Sequence, residues 1–251
     1  MRRFILQRQR PGIKAASITL ALGLALVGLA EAKTIRFAGY DWTVKSGSGL
    51  GPGPCDWRES NVTVDTDGNL HLKLSKLGKT WTCAEIESVR HLGFGTYQFW
   101  VIGPIDTLDP NVVLGLFNYP APGQGPDGTN EIDIEVAQWG DSNAPNLGFT
   151  AWPPKAGLQP AGNSYFFSLD GTYTTHRFTW RNNSIFFQSL YGHRNDDQSP
   201  IATWRFSPPK PARRIPQKPE PVHLNLWLHN GLPPTDGKEV EIVIRSFTYK
   251  S

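Results

Sequence analysis

Three carboxylates alternate along one short stretch, Asn130-Glu131-Ile132-Asp133-Ile134-Glu135-Val136. At the two-residue period of a strand, Glu131, Asp133 and Glu135 face one side while Ile132, Ile134 and Val136 face the other. Like charges on one strand face repel, and acidic residues are poor strand formers, so folding alone does not ask for this row. Residues i and i+4 lie about 13 Å apart along a strand. Two glutamates leaning toward each other over a curved sheet close that gap to near the ~5–5.5 Å of a retaining glycosidase, where one carboxylate attacks and the other protonates the leaving oxygen. Negative charge on Asp133 between them would hold a proton on the general acid to higher pH. Two other readings of the same row stay open: a solvated acidic edge strand, or half of a calcium site.

A strand carrying such a row needs a sheet around it. Turn formers bracket it, Pro126-Asp127-Gly128 before and Gly140-Asp141-Ser142-Asn143 after. Alternating or apolar runs at residues 40–45, 61–64, 70–74, 93–101, 111–119, 147–152, 176–180, 184–188, 224–228 and 240–247 predict further strands, and helical periodicity is nearly absent. With 21 prolines, 25 glycines and nine tryptophans, the pattern is that of short strands joined by turns, an all-β domain. The glycine- and proline-containing connection 120–129 leads into the carboxylate strand, which suits either a cleft border or an ordinary long loop. Residues 207–222 hold six prolines together with Lys210, Arg213, Arg214 and Lys218, and read as a solvated, semi-rigid surface loop.

The first residues have the layout of an export signal. Arg2, Arg3, Arg8, Arg10 and Lys14 precede an apolar run from Ala15 to Ala30 and the small-x-small site Ala30-Glu31-Ala32. The expected division is a signal peptide over 1–32 and a single domain over 33–251, secreted or periplasmic. The leader takes much of the positive charge with it, leaving 20 basic against 21 acidic residues, a net charge of −1. That balance gives no support for nucleic-acid binding. The two cysteines, Cys55 and Cys83, pair most simply with each other in an exported chain, contributing about 3–4 kcal/mol for a loop of that length.

These residues resemble glycoside hydrolase family 16, and within it the bacterial licheninases (β-1,3-1,4-glucanases). Glu131-Ile132-Asp133-Ile134-Glu135 is similar to the family signature in its unbulged form. Cys55-x-Trp57-Arg58, the Asp67-Gly68 turn, Cys83-Ala84-Glu85, Gly93-x-Gly95-x-Tyr97, Phe117-x-Tyr119 and Asn225-Leu226-Trp227 extend the likeness in collinear order over nearly all of the domain. The resemblance implies a jelly-roll sandwich of two curved antiparallel sheets, with Glu131 as nucleophile, Asp133 as assisting carboxylate and Glu135 as acid/base. It also implies a glucan cleft lined by Phe117, Tyr119, Trp152 and Trp227, with Glu85 and Asn225 bonding sugar hydroxyls; Trp57 and Trp180 are assigned to packing.

Where the licheninase pattern has an arginine two residues beyond the cleft glutamate, this chain has Glu87. Pro54 and Thr129 replace an asparagine before the first cysteine and a tryptophan before the nucleophile. No match to the calcium-binding aspartate is found near Val243, so neither a metal nor a cofactor is expected. The partner implied is a β-glucan, with no membrane association after signal cleavage and action as a monomer. A transglycosylase of the same clan and a non-catalytic sugar-binding sandwich are the competing functions.

Overall fold

The computed structural model describes residues Ala32–Ser251, which form one body; the leader reading falls on residues outside it, apart from Ala32. Seventeen strands follow one another among the described residues. The first nine are β1 (Thr34–Phe37), β2 (Tyr40–Val44), β3 (Gly47–Leu50), β4 (Cys55–Trp57), β5 (Val62–Val64), β6 (Leu70–Leu77), β7 (Thr80–Ser88), β8 (Gly95–Ile102) and β9 (Val112–Asn118). The remainder are β10 (Glu131–Val136), β11 (Leu147–Trp152), β12 (Ala161–Tyr165), β13 (Tyr173–Trp180), β14 (Ile185–Tyr191), β15 (Pro200–Phe206), β16 (Val222–Leu228) and β17 (Val240–Lys250). Helical structure among the described residues is limited to single 3₁₀ turns.

The strands form the two antiparallel sheets of a jelly-roll sandwich. One runs β1-β2-β7-β16-β9-β10-β11-β12 and carries the carboxylate strand near its middle. The other runs β5-β6-β17-β8-β13-β14-β15. The end of β6 turns directly into β7, so Ser75–Thr82 pairing laces the sheets together at one corner. Between them lies an aromatic-rich core in which Trp42, Trp57, Trp180, Tyr97, Phe99 and Phe178 are fully buried, with Tyr97 stacked on Phe178. Trp57 and Trp180 thus pack as expected. Each indole N–H still finds a carbonyl, Leu50 O for Trp57 and Pro216 O for Trp180, as burial of a polar atom requires.

Six strands lie outside the sequence expectation: β1, β3, β4, β7, β12 and β15. The Pro-rich segment also departs from it. Its first half is solvent-exposed, but Ile215, Pro216, Glu220 and Pro221 are buried, and Glu220 exchanges backbone hydrogen bonds with Leu92. Proline removes backbone donors, so this stretch can lie against the core without orphaning many N–H groups. Cys55 and Cys83 form a disulfide, placed by the parallel pairing of β4 with β7.

Candidate active site

Period-two alternation along β10 puts Ile132, Ile134 and Val136 in the inter-sheet core and Glu131, Asp133 and Glu135 on the outer face of the first sheet. The chain enters β10 through Asn130, whose φ of 52° lies in the left-handed region that asparagine tolerates better than most residues. Neighbouring strands decide what surrounds each carboxylate. Glu131 lies opposite Trp152 on β11, Asp133 between Phe117 and Thr150, and Glu135 between Gly115 and Gly148. Glycine on both sides leaves room above Glu135. A side chain at Gly115 would collide with Asn225 Oδ1 and crowd the Phe117 ring, so this position holds the floor open.

Above this face is a cleft of about 750 Å³. It is lined by Glu131 and Glu135 and by all six residues expected to contact sugar: Glu85, Phe117, Tyr119, Trp152, Asn225 and Trp227. Asp133 lies below the surface, 3% exposed, and accepts a hydrogen bond from Trp152 Nε1 at 2.9 Å. The 120–129 connection does border the cleft, through Pro120, Ala121, Pro122, Gly125, Asp127 and Gly128, and the Tyr119 hydroxyl ties it down by donating to Asp127. Residues the sequence reasoning missed also contribute, Thr43, Lys45 and His223, and Glu87, noted there as standing in place of an arginine, lines the cleft as well. Glu87 stands in register with both His223 and Thr43, two residues along β7 from Glu85 and so on the same strand face.

Among the described residues no cation pairs with the three carboxylates. Burial, the charge of Glu135 and then of Asp127 and Glu85 push Glu131 upward, against a hydrogen bond from Asp133 that pulls the other way. Burial likewise raises Asp133, with the charges of Glu131 and Glu135 adding to it. Burial alone raises Glu135. Protons are therefore shared across the trio near neutrality. Glu131 is raised to about 8 and Glu135 to about 7, so both titrate near neutrality and the row holds protons that either glutamate can give up.

Glu85 has the opposite environment. It is as buried, which by itself raises its pKa, yet hydrogen bonds from His223 (3.2 Å) and Lys45 (3.1 Å) and their charges hold it below the usual carboxylate range. Asn225 Nδ2 also donates to it, at 3.3 Å. His223 is stacked on Phe117, ring centroids 5.0 Å apart, and Lys45 sits over the Trp57 ring. This end of the cleft is thus a rigid polar and aromatic surface set before any ligand arrives. Among the described residues no group of His, Cys, Asp and Glu has the arrangement of a metal site.

The two-sheet sandwich is a fold shared with β-glucanases of known structure. The chain is similar in structure to a Bacillus licheniformis β-glucanase, with a TM-score of 0.62 and 24% identity over 84% of this chain and 92% of that one. A glycoside hydrolase family 16 endo-glucanase from Bacteroides ovatus matches with a TM-score of 0.62 and 16% identity over 83% and 94%. A pseudo β-1,3-glucanase of Mycobacterium tuberculosis matches as well, with a TM-score of 0.62 and 20% identity over 83% and 89%. No protein-family model and no curated protein sequence matches the chain. The fold is therefore shared by glucanases and by a protein described as a pseudo-enzyme, and function has to be argued from the site.

Proposed function

We propose that the protein is a secreted, retaining endo-β-glucan hydrolase. The observation that carries this reading is the row Glu131-Asp133-Glu135, unpaired by any cation among the described residues, on the floor of an open cleft walled by Phe117, Tyr119, Trp152 and Trp227. Glu131, ionised, attacks the anomeric carbon and forms a covalent glycosyl-enzyme. Glu135, protonated, gives its proton to the departing sugar oxygen and then, as a carboxylate, takes one from the incoming water. Asp133 holds a proton against Glu131 in the resting state, and Trp152 Nε1 fixes its orientation. Aromatic faces stack on the apolar faces of glucose rings, while Glu85 and Asn225 bond hydroxyl groups. The leader and the disulfide support export, over residues 1–32 and 33–251 respectively; no helix among the described residues is long and apolar enough to cross a membrane.

The test is a panel of barley β-glucan, lichenan, laminarin, xyloglucan and galactans, with product lengths and the first-formed anomer read out. The reading expects internal cleavage of at least one β-glucan with release of the β anomer. Release of the α anomer would reject the retaining mechanism. Transfer to added oligosaccharide in preference to water would make the protein a transglycosylase, and binding without turnover would make it a lectin.

A further inference from the structure

Beyond the enclosed part of the cleft, one aromatic residue is held in a conformation that folding does not favour. Trp139 follows the end of β10 by three residues, has a φ of 55°, and is 43% exposed. A bulky residue in the left-handed region is an outlier, and such outliers persist where the surroundings enforce them for a reason other than stability. The surroundings here do enforce it. Gly140 N donates to Pro110 O at 2.8 Å, Asp141 N donates to Gln138 O at 3.0 Å, and the Gln138 side chain donates to Ser142 O and Ala144 O. An exposed tryptophan on a turn fastened this firmly forgoes burial that a freer turn would allow.

The indole is also continuous with the cleft. It meets the Trp227 ring edge to face, centroids 6.1 Å apart, and the His229 ring at 5.5 Å. Trp227 lines the cleft and is approached closely by Gly53, where a side chain would strike its ring. Trp139 therefore stands on a rigid stack whose inner member already faces the substrate groove.

We propose that Trp139 is a further stacking platform that lengthens the cleft past Trp227 and takes an additional pyranose ring of the same polysaccharide. This rests on the glucanase reading above. The indole offers an apolar face to the ring C–H groups, and its rigid mounting means little ordering is needed on binding.

The experiment compares kcat/KM for β-glucan oligosaccharides of increasing length in the wild type, Trp139→Ala and Trp139→Phe. In the wild type the value climbs until the chain reaches Trp139. In Trp139→Ala the last increment disappears, a loss of about tenfold carried by KM, and Trp139→Phe keeps most of it. A loss equal at every length would mean that Trp139 only props Trp227, and no loss would remove the platform altogether; either overturns the proposal. The indole N–H resonance of Trp139, followed in Glu131→Gln protein titrated with the same oligosaccharides, separates this from failure of the glucanase reading. Turnover by the wild type with a resonance that does not move sinks the platform alone. Absence of turnover on every glucan sinks the glucanase reading, and the resonance then reports whether the platform still binds the sugar.

Discussion

Carboxylates on the two sheets are treated in opposite ways. On the second sheet, Asp65 accepts bonds from His71, Asn69 and backbone N–H groups, which hold it well below the usual range. There Glu241, nudged up by burial, is brought lower overall by His71 and Lys73. Between them His71, which burial alone would lower, is raised by its two acidic neighbours. On the cleft face Glu131, Asp133 and Glu135 have no cation among the described residues and no full solvation, and all three are raised. The same residue type supports the fold where its charge is met and opposes it where its charge is stored. Glu85, buried within the cleft yet lowered by Lys45 and His223, shows that burial alone does not decide the matter; the partner does.

The largest expected effect comes from emptying the cleft row. Glu131→Ala should cut hydrolysis by about 10⁴-fold or more on every substrate. Its melting temperature should hold or rise, because a like charge is removed and no core contact is lost. With azide and an activated β-glycoside this variant should yield the α-azide, the small anion replacing the nucleophile. A loss of folding together with activity would erase the contrast between the two faces.

Glu135→Ala should lose about 10²–10⁴-fold on glucan but keep partial activity on aryl glycosides whose leaving group needs little protonation. Azide should rescue it with retained β configuration, by attack on the covalent intermediate. Exchange of the two azide stereochemistries between these variants would reverse the roles of Glu131 and Glu135. Trp152→Phe removes the donor to Asp133 Oδ2 and should lower kcat by about ten- to a hundredfold, with a shifted pH profile marking altered proton sharing. A change in KM only would restrict Trp152 to the cleft wall.

The pH dependence of stability should differ in sign between the faces. A carboxylate whose folded value is raised contributes stability in full below its unfolded value of 4.5, and loses it as pH rises through the folded values of about 7 for Glu135 and about 8 for Glu131. Wild-type Tm should therefore sag on the alkaline side, and Glu135→Gln should flatten the sag. Asp65 and Glu241 act the other way: their contribution is present above 3.8 and 4.5 and lost as pH falls through their lowered values. The His71 contribution is present below 6.5 and lost as pH rises through its raised value. His71→Gln should thus give a small fall in Tm, greatest between about pH 5 and 6.5 and fading above, with glucan hydrolysis unchanged. An equal fall at all pH values would mean that His71 contributes packing and not charge.

Much of this was legible in the residues. Alternation alone put Glu131, Asp133 and Glu135 on one face, since strand side chains obey a period of two whatever the partner strands. Likeness to a known family supplied the six cleft residues and the two-sheet fold. The strands that went unseen lack a clear alternation: Ala161–Tyr165 is polar and half-exposed, Pro200–Phe206 opens on proline, Gly47–Leu50 is glycine-rich and exposed, Thr34–Phe37 and Cys55–Trp57 are four and three residues long, and Thr80–Ser88 has five consecutive buried residues.

What the sequence by itself determined is the local part: which residues share a strand face, where turns fall, that the two cysteines pair with each other. What only the tertiary structure decided is which residues meet across strands distant in the chain. His223 and Lys45 reach Glu85 from separate strands, Gly115 and Gly148 flank Glu135 by register, and Trp139 meets Trp227 across 88 positions of sequence. The physical reason is that a proton's place depends on distance to other charges and to water. Those distances are set by long-range pairing and burial, which no spacing along one strand encodes.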